Sequence, residues 1–186
     1  MEEYGRIAQL SKTANGELAG QQKITFEAYV QAAYFLEVIR RANHRLRVMT
    51  AGRYELLRRE EAENNRAQSG LELDVYDYYT GKTRSVKSLS GGESFKASLS
   101  LALGLSDVIQ TRAGGIEVGA IFIDEGFGAL DEESLEQAIQ TLNTLTGGNC
   151  FVGIISHVAE LKERIEQKIF VKKTPRGSTV QISSVL

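Results

Sequence analysis

From Thr25 to about Thr50, apolar residues recur at Phe26, Val30, Ala33, Leu36, Ile39, Leu46 and Met49, with Asn43 completing the series. That is the i, i+3/i+4 spacing of one helix face. Ala51-Gly52 closes this helix, and Arg53 to Leu57 reads as a short strand. Charges dominate Arg58 to Ser69, an exposed connection. Leu71-Glu72-Leu73-Asp74-Val75 then alternates as a half-buried strand does. Tyr78 to Lys82 makes a turn, and Thr83 to Lys87 returns as a second strand. A helix after Ser90 puts Phe95, Leu99, Ala102, Leu105 and Ile109 on one face, and Gly114-Gly115 follows it.

Downstream, the period switches repeatedly between 2 and 3.6. The pattern predicts a strand over 118–124, a helix over about 132–146, a strand over 150–155 and a helix over about 158–167. Ile169 to Lys173 and Ser178 to Ile182 flank Thr174-Pro175-Arg176-Gly177, whose Pro-x-Gly chemistry suits a hairpin turn. Strands alternating with helices predict an α/β layer with an antiparallel hairpin at its end. Residues 1–22 are polar, with a weak apolar spacing of Ile7, Leu10 and Ala14. They read as the end of a longer helix or a frayed terminus, with Gly16 and Gly20 as a linker.

Composition narrows the partners. At 186 residues, with 42% hydrophobic and 25% charged content, the chain can bury a core as one soluble domain. A net charge of −2 gives no global attraction to nucleic acid or membrane, so any such surface is local. The local candidate is a run of arginines, Arg40, Arg41, Arg45, Arg47, Arg53, Arg58 and Arg59. It reads either as a DNA contact or as a solvated helix face diluted by Glu55, Glu60, Glu61 and Glu63. No apolar run approaches the roughly 20 residues that span a bilayer, and the acidic start Met1-Glu2-Glu3-Tyr4 does not read as a signal peptide. Cys150, the single cysteine, lies in an apolar run and reads as a buried reduced thiol of a cytoplasmic protein.

Gly81-Lys82-Thr83 matches the end of a Walker A loop, but the position of that motif's first glycine is Tyr76 and the chain continues as strand. The phosphate chemistry lies elsewhere. Ser90 opens a helix with Glu93 three residues on, a capping box. Between them stand Gly91 and Gly92, which weaken a helical turn by about 1 kcal/mol each relative to alanine. Bare backbone at a helix N-terminus is a good anion site. Ile121-Phe122-Ile123 delivers Asp124 and Glu125 to a strand's C-terminal end, where α/β sheets place ligands. The pair reads either as two solvated acids or as a Mg²⁺-linked carboxylate, Asp124, beside a water-activating one, Glu125. Gly126 to Asp131 forms a small-residue loop after it, and the strand at 151–155 ends in Ser156-His157.

In that order, these elements resemble the signature, Walker B strand, D-loop and histidine switch of the second lobe of an ABC-type ATPase. The segments Ser88–Phe95, Ala102–Asp107 and Phe122–Gly128 are similar to the SbcC family of bacterial DNA-repair ATPases, relatives of the structural-maintenance-of-chromosomes (SMC) proteins. Phe26–Val30, Ala33–Phe35 and Gly52–Tyr54 extend the match, which covers about residues 22 to 183. The resemblance implies a mixed α/β fold, the C-terminal half of an ABC-type P-loop NTPase domain without Walker A. On that basis 1–22 is the stump of a coiled coil and 23–186 the C-terminal lobe.

The resemblance further implies ATP and Mg²⁺ as cofactors. Ser90, Gly91, Gly92 and Glu93 would form a nucleotide contact made in trans. Asp124 would be linked to Mg²⁺ through water, Glu125 would be the catalytic base, and His157 would sense the γ-phosphate. Asp131 would lie at the junction of two heads. Ala129 stands where that family leads one to expect threonine. Implied partners are the Walker A lobe of the same full-length protein, a second head, an SbcD-like nuclease and DNA. A nucleotide-gated structural clamp is the alternative function. The ATPase of a membrane transporter fits less well, because it would carry Walker A and signature in one compact domain.

Overall fold

The computed structural model describes residues 2–15, 26–59, 71–112, 118–146, 150–175 and 177–183. Several sequence readings fall outside them: the Gly16–Gly20 linker, most of the charged connection after Arg58, Gly114-Gly115, and Arg176 of the hairpin turn. The chain divides into two compact units, Met1–Val118 and Gly119–Leu186.

The first unit begins with helix α1 (Glu2–Ala14) and helix α2 (Phe26–Met49). Ala51 and Gly52 end α2 by turning left-handed, at φ 47° and 79°, and the Gly52 N–H closes back on the Arg47 carbonyl at 2.7 Å. Three antiparallel strands follow, β1 (Tyr54–Arg58), β2 (Leu73–Asp77) and β3 (Lys82–Ser85), in the order β1-β2-β3. Gly81 sits at φ 66° in the β2–β3 turn and Thr83 pairs with Tyr76 across the hairpin. The Walker A look-alike is therefore a hairpin, as its sequence context requires. The free edge of β1 is satisfied by a side chain: Asn43 donates to the Leu56 carbonyl at 2.9 Å and accepts from the Leu56 N–H at 2.8 Å.

The predicted second strand over 83–87 stops at Ser85. Val86–Ser88 instead forms a 3-10 turn whose Lys87 N–H donates to the Ser85 hydroxyl. Helix α3 (Gly91–Arg112) then packs on α2. Its buried residues are Ala97, Leu99, Ser100, Leu103, Gly104 and Val108, while Leu105 and Ile109 are exposed. The predicted face of Phe95, Leu99, Ala102, Leu105 and Ile109 is thus corrected, with Leu99 alone fully buried among them. The cause is a backbone-to-backbone crossing. A Cβ on Gly104 would lie 2.7 Å from the Val38 carbonyl oxygen and 2.8 Å from the Ala42 nitrogen. Only a small-residue face allows that approach. Arg45 seals the crossing with two bonds to Asp107, at 2.6 and 3.1 Å.

The same crossing corrects the α2 stripe. Ile39, Leu46 and Met49 are buried as predicted, but Phe26 and Leu36 are exposed, and Val38 and Ala42 take their place. The C-terminal end of α3 brings the Arg112 guanidinium over the Tyr34 ring, 4.5 Å from its centroid, so the first turns of α2 extend past their partner. The core gathers Ile39, Ala42, Leu46, Tyr54, Leu56, Val75 and Ala97. Gly104→Ala should lower stability by about 2 kcal/mol in urea unfolding, although alanine is the better helix former. An unchanged or raised midpoint would contradict the tight crossing.

The second unit is a strand–helix–strand crossover followed by a hairpin. Strand β4 (Ala120–Asp124) lies parallel to β5 (Phe151–Ile155), with helix α4 (Glu132–Thr146) between them in sequence. Leu135, Ala138 and Leu142 form the buried stripe of α4. A short helix, α5 (Ala159–Arg164), leads to β6 (Lys168–Thr174) and β7 (Gly177–Ser183), an antiparallel pair. Arg164 of α5 forms ion pairs with Glu132 and Glu136 of α4. Cys150 is half-buried rather than buried. Parallel and antiparallel pairs both occur, as a mixed α/β class demands.

Candidate functional site

Each unit carries its own group of candidate residues. In the first unit the group is the N-terminus of α3. The Ser90 N–H donates to Glu93 Oε2 at 2.8 Å, and the Glu93 N–H reaches the Ser90 hydroxyl at 3.4 Å. The Ser90 carbonyl accepts from the Ser94 N–H at 2.8 Å. This is the capping box read from the sequence. The Gly91 and Gly92 N–H groups lie in the first helical turn, where no intrahelical acceptor exists. Neither glycine has a positive φ, so backbone conformation does not demand them. Without side chains, exposed Gly91 and half-buried Gly92 put no Cβ over their own N–H groups, which follow the exposed Ser90 in the chain. Together these groups form a donor set suited to an anion.

Behind this turn lies a network that sequence reasoning missed. Glu93 Oε1 accepts from the Tyr54 hydroxyl of β1 at 2.6 Å. The guanidiniums of Arg84 and Arg53 stand 3.8 and 3.9 Å from the same carboxylate. Arg84 also donates to the Ser88 carbonyl at 2.8 Å and the Ser88 hydroxyl at 2.7 Å. Arg53 stacks over the Tyr54 ring, 4.7 Å from its centroid, and forms an ion pair with buried Asp77 at 3.2 Å. Burial raises the Glu93 carboxyl, but the Tyr54 and Ser90 donors outweigh it and hold the group below its ordinary value. Tyr54 is pushed up to about 12, by burial first and then by its bond to Glu93. At neutral pH a neutral phenol therefore donates to an ionised carboxylate, a strong class of hydrogen bond. Tyr54 lies 39 positions from Glu93, so no local pattern announces the pair.

In the second unit the group lies at the ends of the parallel strands. Asp124 ends β4 in register with Ile155, and the Glu125 N–H extends the ladder to the Ile155 carbonyl at 2.9 Å. The chain then turns left-handed at Glu125, φ 61°, and at Gly126, φ 95°. For a glutamate this costs roughly 1 kcal/mol or more, the kind of local strain that clusters at functional positions. His157, just beyond β5, meets the Glu125 carboxylate through Nδ1, 3.1 Å from Oε2 and 3.3 Å from Oε1. Both side chains are exposed, at 58% for Glu125 and 78% for His157. Asp124 is exposed beside them.

Asp131 accepts from the Ser134 N–H at 2.8 Å and so caps α4. Buried Phe127 anchors the short 3-10 turn Phe127–Ala129 that carries the loop. Among the described residues no group of three or more His, Cys, Asp or Glu side chains forms a metal cage. An exposed carboxylate at a strand end suits a cation held mostly by water and phosphate, which is how Mg²⁺ is commonly bound.

Six of the run's seven arginines lie within 4 Å of an acid. Arg40 and Arg41 hold Glu37, Arg45 holds Asp107, Arg53 holds Asp77, and Arg59 holds Glu72 and Asp74. Arg47 reaches Glu55 at 3.7 Å. These acids account for most of the local positive charge. Among the described residues no helix is long and apolar enough to cross a membrane.

The family profile described as "SbcC/RAD50-like, Walker B motif" matches residues 60–144. The SbcC component of the nuclease SbcCD from Vibrio cholerae is 49% identical over 180 residues, 97% of this chain and 18% of that protein. The Treponema pallidum protein of the same name is 49% identical over 179 residues, 96% of this chain and 17% of its own length. The chain thus spans less than a fifth of these relatives.

Among solved structures, one of SMC ATPases, described by its ATP-driven dimerization and DNA-stimulated activation, aligns with a TM-score of 0.64 at 14% identity. It covers 84% of this chain and 89% of that one. The Smc head domain of Pyrococcus furiosus, bound to the C-terminal domain of ScpA, aligns at 0.58 with 15% identity, covering 84% and 37%. The fold is therefore that of an SMC-type ATPase head, the α/β class of an ABC-type P-loop NTPase half-domain. By sequence the chain belongs to the SbcC group, matching a segment of those longer proteins.

Proposed function

We propose that this chain is the C-terminal half of an SbcC-type ATPase head, 23–186, with 1–22 as the end of a coiled coil. It binds and hydrolyses ATP at a site completed by a second head and thereby drives DNA-end processing by a partner nuclease of the SbcD kind. The observation that carries the reading is the Glu125–His157 pair at the end of the parallel strands, with Glu125 in a left-handed conformation. A carboxylate fixed in this way is a base for a water attacking a terminal phosphate. His157 holds that carboxylate by one ring nitrogen and leaves the other for the phosphate. Mg²⁺, linked to Asp124 through water, would neutralise developing charge on the phosphates. The Ser90 hydroxyl with the Gly91 and Gly92 N–H groups closes over a nucleotide whose main grip is the Walker A loop of the second head. Asp131 belongs to the junction between heads, and the location is cytoplasmic.

A polypeptide of these 186 residues should then neither bind ATP tightly nor release phosphate. Adding a Walker A-bearing lobe of the same protein should restore turnover, read as phosphate release. Steady turnover by the 186 residues alone would sink the half-site reading.

A further inference from the structure

We propose that Tyr54 is a positioning residue of the ATP site, acting through Glu93 to keep the anion-binding face of the α3 N-terminus clear. The inference rests on the composite-site reading and deepens it. A glutamate in the first turn of a helix is drawn to that turn's unpaired N–H groups, since the helix dipole favours negative charge there. Glu93 is such a residue, three positions from Ser90 and next to Gly92. Left to itself, its carboxylate competes with a phosphate for the Gly91 and Gly92 donors.

The structure ties it down at both oxygens. Oε2 takes the Ser90 N–H at 2.8 Å, and Oε1 takes the Tyr54 hydroxyl at 2.6 Å. Tyr54 is itself held. It is a buried strand residue of the core, its ring lies under Arg53, and its hydroxyl accepts from Arg84 at 3.4 Å. Arg53 and Arg84 also offset the Glu93 charge, so the turn does not repel an incoming polyphosphate. The raised Tyr54 and lowered Glu93 titrations describe the same locked pair. With Glu93 turned inward, the donors left for a nucleotide are the Ser90 hydroxyl and the two glycine N–H groups.

Tyr54→Phe keeps the ring and its packing and removes only the hydroxyl. In the full-length protein it should raise the ATP concentration for half-maximal turnover roughly tenfold, the size of a lost hydrogen bond to a charged group. Turnover at saturating ATP should stay within about twofold, because Glu125 and His157 are untouched. Glu93→Gln and the double variant complete the cycle. Two residues acting as one device are non-additive, so the double variant should match Glu93→Gln alone.

Half-saturation at the wild-type concentration in Tyr54→Phe would overturn the proposal. So would a double variant whose effect is the product of the two singles. If Tyr54→Phe lowers the unfolding midpoint sharply, Glu93→Gln alone carries the test: with no carboxylate to compete for the two glycine N–H groups, half-saturation should stay at or below the wild-type concentration, and a rise of roughly tenfold overturns the proposal. A wild-type protein without ATP turnover would instead bring down the composite site itself, and the role of Tyr54 with it.

Discussion

Glu125→Gln in the full-length protein should cut ATP turnover by a hundredfold or more, roughly the lower end of what a positioned general base contributes. ATP-driven pairing of heads should survive. The substitution keeps volume, the backbone demand at φ 61° and one oxygen for the His157 nitrogen 3.1 to 3.3 Å away, and it removes the basic oxygen alone. Binding energy comes from the donors around Ser90 and from the Walker A lobe, so the bound state persists while the water is no longer activated. Phosphate release under saturating ATP measures the first effect, and light scattering of the paired heads measures the second. Turnover within about threefold of wild type would remove Glu125 from the chemistry.

Ser90→Arg should abolish ATP-driven pairing while the chain still folds. Ser90 is exposed and precedes α3, so a long side chain can extend into solvent in the folded unit. Loss of the cap costs about 1 kcal/mol, too little to unfold a domain. In the paired state the same side chain occupies the space that the Gly91 and Gly92 N–H groups leave open to a phosphate. Circular dichroism should match wild type, and scattering should show separate heads at saturating ATP. If the variant pairs normally, the turn is a helix cap and nothing more.

Much of this was legible in the chain because the decisive signals are local. A capping box needs only Ser90 and Glu93, three residues apart, and both bonds are present. The Walker A look-alike could be rejected because Thr83 had to continue as strand, and it pairs with Tyr76. Asp124 and Glu125 were placed by the apolar run before them, which forms β4 in parallel with β5.

What the sequence concealed is what depends on distant contact. Sequence pattern misplaces the face of α3, because Gly104 and Ser100 look inert while Leu105 and Ile109 look like core. The crossing with α2 is decided by how closely backbones approach, so the small residues go inside. Tyr54 read only as a strand residue, although its hydroxyl reaches Glu93 from another element. The left-handed turn at Glu125 carried no glycine to announce it. The arginine run reads as a charged patch because its distant partners, Asp77 and Asp107 among them, are brought in by the fold.

The central claim is that the Ser90 turn of one head serves a nucleotide gripped by another, and mixing two disabled full-length proteins tests it directly. One carries Ser90→Arg and the other a defective Walker A loop, and each alone should hydrolyse no ATP. In a mixed pair the intact Walker A of the first faces the intact Ser90-Gly91-Gly92 turn of the second, so one working site is rebuilt. Phosphate release should reappear on mixing and peak near equal proportions. If no ratio restores turnover, the signature turn does not act across the dimer, and the account is wrong.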